Sequence, residues 1–486
     1  MSERSARVLG RRRAGVLLHA TSLPDSAAGA LGQASRSFID WLTAAGFSVW
    51  QLLPLGPVGA DRSPYFARSN HAGDPTLVDL TMLVAATLIE PSERARLPRQ
   101  ALLGLAGERL ISRGGSAAVD FQAFRSGARG WLDDYALYCA VQEREQGKPW
   151  WQWPAALRQR DAAALARARV ELAPAIAAVE AGQFFFASQW RALKDYAASR
   201  GVRLFGDIPI YVAPDSVEVW AHPQLFELDA AGLPTAVAGV PPDYFAVDGQ
   251  RWGNPLYRWD AHAATGFAWW IERLRAQFAL FDLVRIDHFR GLEAFWAVPA
   301  SAVTAASGEW RPAPGAALLA RAREEFGRLD VVAEDLGVIT PAVEQLRDSF
   351  GLPGMRVAQF GFDGDARNLH VPHNWPASAV AYTGTHDNDT TAGWYRTLAP
   401  ASQALVTDYL GVTAAGVVAG LARSVLASVA ELAVLPMQDL LGLGSEARMN
   451  TPGTASGNWV WRFAWSDVPA SLAARCLRHN ELYGRR

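Results

Sequence analysis

Short apolar runs recur along the chain and alternate with helical stretches. Eight of these runs have the length of buried strands: residues 16–19, 49–53, 202–208, 283–286, 331–333, 356–360, 379–382 and 432–435. Continuous apolar runs of this kind are typical of a parallel sheet that is covered on both faces. Eight such strands alternating with helices predict an α/β fold, a (β/α)8 TIM barrel. Each run ends at a polar residue, a glycine or a proline, and polar residues at strand ends are typical of the catalytic face of such a barrel.

Two intervals between predicted strands are too long for simple crossovers. Residues 56–200 are rich in Ala and Arg and contain two helical stretches, 161–180 and 184–198. Residues 211–260 are dense in Pro, Gly and aromatic residues and have little helical periodicity. Ordered loops of this length usually act as lids or binding loops. We therefore interpret residues 1–486 as one catalytic barrel, with a largely helical insertion after strand 2 and a lid and loop insertion after strand 3.

Two other segments imitate targeting or membrane signals. The first apolar run follows a basic run, residues 11–13, in the order that a signal peptide has. His19 interrupts the apolar run and no small-residue cleavage site follows, so we predict a first buried strand instead. The longest apolar region, residues 414–436, contains Arg423 and Glu431. These charges indicate a core helix and strand rather than a membrane span.

Composition narrows the class of protein. Half of the 486 residues are hydrophobic, which allows a large core and excludes global disorder. The formal charge of −2 gives no reason to expect nucleic acid or an anionic membrane as a partner. Cys139 and Cys476, the two cysteines, have helix-like sequence contexts and form no disulfide or metal-binding pattern. We therefore expect a cytoplasmic protein.

The fourth predicted strand ends in an unusual set of charged residues. Residues 283–286 run directly into Asp287 and His288. Arg285 stands two positions before Asp287 and so lies on the same face of the strand. A cation in that place holds a carboxylate ionised, as a carboxylate nucleophile requires. A structural ion pair that closes the strand end is the alternative interpretation.

Acids also follow two later strands. Residues 331–333 run into Glu334, and Asp387 follows residues 379–382. Acids that lie close together cannot all ionise freely, so at least one pKa rises and its owner becomes a proton donor. One ionised and one protonated carboxyl group about 5 Å apart form the basic apparatus of a retaining glycosidase. Asp207 ends the third strand and either contacts substrate or braces Arg285.

Two histidines stand next to these acids, His288 beside Asp287 and His386 beside Asp387. Neutral imidazoles in this position suit hydrogen bonds to sugar hydroxyls. Metal ligation is the alternative, but the set lacks the compact spacing of a zinc site. We therefore expect neither a catalytic metal nor a cofactor.

The aromatic content agrees with a carbohydrate ligand, since the chain has 19 Trp. Trp252 and Tyr65 lie among Gly, Pro and Asn residues, which predicts loops in which an aromatic ring stacks on sugar. Most large aromatic residues simply fill a core. We expect that for Trp41, Trp50 and residues 184–186.

Ordered motifs extend over nearly the whole chain, at residues 50–55, 63–65, 133–137, 206–211, 222–226, 237–245, 249–255, 285–291, 333–337, 382–388 and 448–454. In this order they resemble the amylomaltase family, the 4-α-glucanotransferases of bacterial maltodextrin metabolism. Residues 240–245 and 249–255 separate this family from ordinary α-amylases, which share only the acid-bearing strand ends. The resemblance implies a barrel with inserted subdomains and no C-terminal β-sandwich.

The resemblance also implies a role for each matching residue. Asp287 is expected to be the nucleophile, Glu334 the general acid/base, and Asp387 the carboxylate that stabilises the oxocarbenium-like transition state. The remaining residues are expected to bind substrate: Asp207, Arg285, His288 and His386 in the donor subsite, Gln250 and Trp252 in a lid over the acceptor side, Tyr65 as a stacking ring there, and Asn450 with Arg448 at the rim.

The implied activity is retaining transfer of an α-1,4-glucan segment to the 4-hydroxyl of another glucan or glucose, so the expected partners are malto-oligosaccharides and α-1,4-glucans. Hydrolysis by an α-glucosidase is the alternative reaction, and the lid motif favours transfer. A non-catalytic glucan-binding protein is disfavoured because all three acids are present. Phe66 and Asn70-His71 depart from the family pattern near a predicted sugar-binding loop, which bears on the preferred acceptor length.

Overall fold

The computed structural model describes residues 10–242, 247–454 and 456–486. In these ranges the strands are β1 (Arg13–Leu17), β2 (Val49–Gln51), β3 (Arg203–Ile208), β4 (Ala236–Val240), β5 (Gln250–Pro255), β6 (Leu283–Ile286), β7 (Ala294–Pro299), β8 (Glu309–Pro312), β9 (Val331–Ala333), β10 (Gly354–Val357), β11 (Ala379–Tyr382) and β12 (Leu432–Pro436).

The helices in the same ranges are α1 (Gln33–Ala44), α2 (Leu80–Ala85), α3 (Pro91–Arg94), α4 (Arg99–Arg113), α5 (Gly115–Arg144), α6 (Ala155–Arg158), α7 (Ala162–Glu171), α8 (Ala173–Ser199), α9 (Val217–Ala221), α10 (Trp259–Ala264), α11 (Ala268–Leu280), α12 (Gly315–Phe326), α13 (Pro341–Ser349), α14 (Thr391–Thr397), α15 (Pro400–Leu410), α16 (Val417–Ala427), α17 (Met437–Leu441) and α18 (Leu472–Leu482).

Eight parallel strands form the barrel, in the order β10-β11-β12-β1-β2-β3-β6-β9. The two outer strands of this order are joined where the Ala333 N–H donates to the Pro353 carbonyl at 2.9 Å. All eight correspond to predicted strands, so the predicted TIM barrel is confirmed. The predicted first strand is confirmed as well, although β1 begins earlier, at Arg13, which pairs with Leu432 of β12.

Three predicted strands extend past the observed strand ends, since β1 ends at Leu17, β2 at Gln51 and β10 at Val357. Residues 356–360 were expected to be extended, whereas β10 ends at Val357 and a 3-10 turn follows. The turn forms because Gln359 is held by the neighbouring loop. Its backbone N–H donates to the Thr383 carbonyl at 3.2 Å, and its side-chain amide donates to the Asp389 carbonyl at 3.0 Å. These bonds tie β10 to the segment after β11.

Alternate residues of each strand face the inside of the barrel. The interior cluster contains Leu17, Phe205, Leu283, Val332, Val380 and Val434. The next residues along the same strands pack outward into the main core against the helices. Because strand side chains repeat every two positions, the polar residues two steps beyond interior positions also face inward. At the ends of β3, β6 and β9 those residues are Asp207, Arg285 and Glu334.

The interval 56–200 contains helices α2 to α8. Its predicted helical stretches, 161–180 and 184–198, are divided at the wrong place, because α7 ends at Glu171 and α8 runs unbroken from Ala173 to Ser199. The break falls there because Pro174 lies in the first turn of α8, where its missing N–H costs no helical hydrogen bond. The aromatic residues 184–186 of α8 are buried, as predicted.

A second sheet stands beside the barrel, with the antiparallel order β5-β4-β7-β8. Strands β4 and β5 belong to the interval 211–260, but β7 and β8 follow β6. The sheet therefore joins two crossovers that are distant in sequence. Trp252 was expected in a loop and lies instead in β5, where Gly253 has a φ of +88° and the β4–β5 register shifts.

Cys139 and Cys476 are free thiols on α5 and α18. Residues 414–436 contain the core helix α16 and strand β12, as predicted. In the described ranges no single helix is long and apolar enough to cross a membrane, although two bent helix pairs meet the length and composition test.

Helices α4 and α8 pack with their backbones close together. A Cβ added at Gly107 would lie 2.5 Å from the Cβ of Ala181, and one at Gly104 would lie 2.9 Å from the Cβ of Ala178. Both distances are shorter than real Cβ contacts. The small residues are therefore required by the approach of the two helices.

We expect Gly107→Val to lower the free energy of unfolding by about 1–3 kcal/mol, because the larger side chain forces the helices apart. Thermal unfolding followed by circular dichroism measures this as a lower Tm. Gly127→Ala on α5 is the matched control, since nothing lies within 4 Å of the added Cβ, and its Tm should not fall. An unchanged Tm for Gly107→Val would contradict the packing argument.

Candidate active site

Arg285 connects two acids at the mouth of the barrel. Its two terminal nitrogens donate to Asp207 Oδ2 and to Asp287 Oδ1, each at 2.6 Å. Asp207 on β3 is the register partner of Arg285 on β6, so sheet pairing alone sets the first contact. The Asp287 side chain is 29 % exposed, whereas that of Asp207 is fully buried. Asp287 is therefore held in place and still accessible from the cleft.

Asp207 also accepts a hydrogen bond from the Tyr65 hydroxyl at 2.7 Å, on the oxygen that Arg285 contacts. Burial raises the pKa of the Asp207 carboxyl, and the charge of Arg285 opposes that rise. Asp207 was predicted either to contact substrate or to brace Arg285. These contacts show that it braces Arg285.

Glu334 lies directly after β9 and is buried. Its Oε2 accepts from the His288 backbone N–H at 2.7 Å, and its Oε1 accepts from the Leu336 N–H at 2.8 Å. Burial, with the charge of Asp287 adding to it and the charge of Arg285 opposing it, raises the pKa of Glu334 to about 7. A large share of Glu334 is thus protonated at neutral pH, which suits a proton donor.

Asp335, the next residue, is directed elsewhere. Its carboxylate accepts from the Met355 N–H at 2.6 Å and forms ion pairs with Arg347 and Arg356. The side chain is 2 % exposed. Asp335 therefore joins β9 to β10 and α13 rather than facing the cleft.

Asp387 is carried by the loop after β11. Its Oδ1 accepts from the Asn450 side-chain amide at 2.7 Å and lies 3.3 Å from His386 Nε2. Arg448 donates to the Asp387 backbone carbonyl at 2.6 Å and to the Asn450 carbonyl at 2.7 Å. The side chain of Asp387 is 46 % exposed. Asn450 and Arg448 thus position this acid at the rim.

Both predicted histidines are buried beside the acids. Burial lowers the pKa of His288 to about 3, with Arg290 and Arg285 adding to the effect. Burial also lowers the pKa of His386, although Asp387 opposes it. Both imidazoles are therefore neutral at pH 7. His288 has a left-handed φ of +48°, in the conformation that directs its N–H to Glu334.

The electrostatic environment of Tyr65 indicates that the acids lie around a common space. Burial raises the pKa of the Tyr65 hydroxyl well above its ordinary value, and the charges of Asp207, Asp287 and Asp387 raise it further. Asp287 acts in turn on the pKa of Glu334. Acids from β3, β6, β9 and the loop after β11 thus meet at one end of the barrel.

The ring of Tyr65 stacks on His386 with centroids 5.2 Å apart. Tyr65 was expected to stack on sugar on the acceptor side, and its side chain contacts Asp207 and His386, which were expected in the donor subsite. Trp459 completes this cluster, with its ring 6.0 Å from each of the other two. The sequence reasoning missed Trp459, although it follows a Gly-, Pro- and Asn-rich run like the one that singled out Tyr65.

Gln250 and Trp252 lie together on β5, where the Trp252 indole N–H donates to Gln250 Oε1 at 3.1 Å. The Trp252 ring meets His288 edge-on at 4.8 Å. Strand β5 therefore extends the site beside His288, whereas Tyr65 and Trp459 border His386. Tyr244 and Phe245 of the predicted lid lie outside the described residues.

Comparison with known proteins identifies the family of the chain. The model of glycoside hydrolase family 77, described as 4-alpha-glucanotransferase, matches residues 18–467. The 4-alpha-glucanotransferase of Thermus thermophilus is 48 % identical over 485 residues, covering 96 % of this chain and 97 % of that protein. The 4-alpha-glucanotransferase of Synechocystis sp. is 44 % identical and covers 99 % of both chains.

Among solved structures, the amylomaltase of Streptococcus agalactiae in complex with acarbose superposes with a TM-score of 0.94 at 35 % identity, covering 98 % of this chain and 100 % of that one. The family match covers seven of the eight barrel strands, β1 lying just before it, and the residues of both insertions. The chain belongs to glycoside hydrolase family 77 and is an enzyme of the 4-alpha-glucanotransferase family.

Proposed function

We propose that this enzyme transfers a segment of an α-1,4-glucan to the 4-hydroxyl of another glucan or of glucose, with retention, through a covalent glycosyl-Asp287 intermediate. The observation that carries the proposal is the pairing of two unlike carboxyl groups. Arg285 holds Asp287 at 2.6 Å, and burial raises the pKa of Glu334 to about 7. A retaining mechanism needs one carboxylate and one carboxylic acid in these places.

In the first step Asp287 attacks the anomeric carbon of the donor glucan. The bond from that carbon to the leaving oxygen breaks, and Glu334 gives its proton to this oxygen. Arg285 contacts the attacking carboxylate and Asp387 lies at the rim, so both can stabilise the charge that develops on the sugar ring. The neutral His288 and His386 hydrogen-bond sugar hydroxyls without adding positive charge beside an oxocarbenium-like centre.

In the second step the ionised Glu334 takes the proton from the 4-hydroxyl of an acceptor. The acceptor oxygen attacks the anomeric carbon, and Asp287 leaves as the free carboxylate, so the enzyme returns to its starting state. Transfer exceeds hydrolysis when water is kept from this intermediate while an acceptor sugar is held in place. Trp252, edge-on to His288, supports such an acceptor position.

Hydrolysis of the same bond is the competing function, and product analysis separates the two. With maltotriose as the sole substrate, we expect glucose together with longer malto-oligosaccharides and nearly constant total reducing ends. Quantitative chromatography combined with a reducing-end assay measures both. Reducing ends that increase in step with bond cleavage would instead identify a hydrolase.

We expect Asp287→Asn to lower kcat on maltotriose by on the order of 10³ or more, because an amide cannot form the glycosyl ester. Steady-state assays of the purified variant measure this loss. Asp282→Asn is the matched control: Asp282 lies at the opposite end of β6, where it accepts from the Leu204 N–H, and that variant should remain active. More than a few per cent of activity in Asp287→Asn would refute the nucleophile assignment.

Glu334→Gln tests the proton donor. We expect transfer from maltotriose to fall by roughly 10²–10⁴, whereas a maltosyl fluoride, whose leaving group needs no proton, should still release fluoride in a burst. Wild-type kcat/KM for maltotriose should decline as the pH rises through about 7, because the protonated form of Glu334 is lost, and the variant should lack this decline.

Asp335→Asn provides the comparison for this experiment. Because Asp335 forms ion pairs with Arg347 and Arg356, we expect this variant to be less stable. Any loss of its activity should be the same on maltotriose and on the fluoride. Equal losses on maltotriose and on the fluoride in Glu334→Gln would assign the acid role to another residue.

A further inference from the structure

A cavity of about 710 Å³ has a lining that includes none of the three proposed catalytic acids. Its walls come from the turn around Asp229, from Trp259 at the start of α10, from Phe295 and Arg311 of the second sheet, and from Trp150. Among the described residues, none of the proposed active-site side chains lines it. The volume lies within the ~300–1,000 Å³ typical of ligand pockets.

One wall is a rigid aromatic surface. Trp259 is partly buried, and its ring is stacked on the buried Trp270 at 5.9 Å with 16° between the planes. Tyr257, which is also buried, packs at 5.1 Å from Trp259. Because these neighbours fix the indole, little side-chain entropy is lost when a flat apolar ligand face stacks on it.

The polar part of the lining is charge-balanced. Three arginines and three carboxylates border the cavity, and two of the pairs are in contact: Arg311 with Glu227 at 3.2 Å, and Arg258 with Asp260 at 3.8 Å. A balanced lining gives no net attraction to an anion or a cation. It does offer planar donors and acceptors, which can hydrogen-bond adjacent hydroxyl groups. The chemistry therefore favours a neutral, polyhydroxylated ligand with apolar ring faces.

We propose that this cavity is a second, non-catalytic binding site for an α-glucan chain. The choice of glucan among neutral polyhydroxylated ligands rests on the proposed function, in which long α-1,4-glucans are donors. Strand β5 carries Gln250 and Trp252 toward the active site, and the chain then continues into Tyr257 and Trp259 at the cavity. A long glucan bound here raises its own effective concentration at the catalytic cleft, whereas maltotriose is too short to gain.

Trp259→Ala tests the proposal. We expect the KM for soluble amylose, with glucose as acceptor, to rise by about 3- to 10-fold through loss of one stacking contact. The kcat/KM for maltotriose should stay within about twofold of wild type, since a short substrate does not use a second site. Trp41→Ala is the matched control, because Trp41 is a partly buried tryptophan that stacks on Phe38 of the outer helix α1.

Direct binding provides the second readout. In the Asp287→Asn background, migration through a native gel containing amylose should be retarded less when Trp259→Ala is added. Arg258→Ala should act in the same direction, and its side chain is 48 % exposed, so this variant keeps the test valid if Trp259→Ala fails to fold. Unchanged retardation and amylose KM in both variants, or equal losses on amylose and maltotriose, would overturn the second site.

The two proposals fail separately. A wild-type protein that does not disproportionate maltotriose would overturn the proposed function. A wild-type protein that does so, but whose cavity variants bind amylose as tightly as their parents, would overturn only the second site.

Discussion

The planar guanidinium of Arg285, shared between Asp207 and Asp287, is the interaction on which the site depends. A buried cation of this kind is stable only when both its charge and its donors are satisfied, and removing one partner of such a pair costs about 3–5 kcal/mol. Asp207 supplies the fixed half of that arrangement from a fully buried position. Asp287 is then placed by the barrel itself, and its side chain stays accessible from the cleft.

The groups around Arg285 and Asp287 have shifted pKa values. Burial raises the pKa of Glu334, the nearby charge of Asp287 adds to this rise, and backbone N–H groups keep the orientation of Glu334 fixed. The histidines stay neutral because burial next to Arg285 penalises a further positive charge. Burial thus favours a protonated Glu334 and two neutral imidazoles, while Arg285 pairs with Asp287. Two carboxyl groups in such unlike surroundings are what the proposed double displacement uses.

Much of this could be predicted from the sequence, because barrel strands are continuous apolar runs and Arg285 and Asp287 share the period of one strand. The second sheet could not, since the pairing of β4 with β7 joins segments about sixty residues apart, and pairing over such separations has no local signal. Trp252 was misplaced for a related reason: Gly253 and Asn254 indicate a loop unless the partner strand is known. Trp459 joins the site only through the fold of the C-terminal segment, which brings its ring against Tyr65.

Glu334 and Asp335 are adjacent acids directly after the short strand β9, and their side chains have different partners. This arrangement has a consequence for the register of β9 in the barrel. A slip of β9 by a single residue would exchange a protonated acid for a salt-bridged carboxylate, since strand faces alternate. The bonds from Asp335 to Met355, Arg347 and Arg356 make that exchange costly, because they would all break together. Asp335 therefore fixes the register of β9, and its buried ion pairs keep Glu334 in the position that faces the cleft.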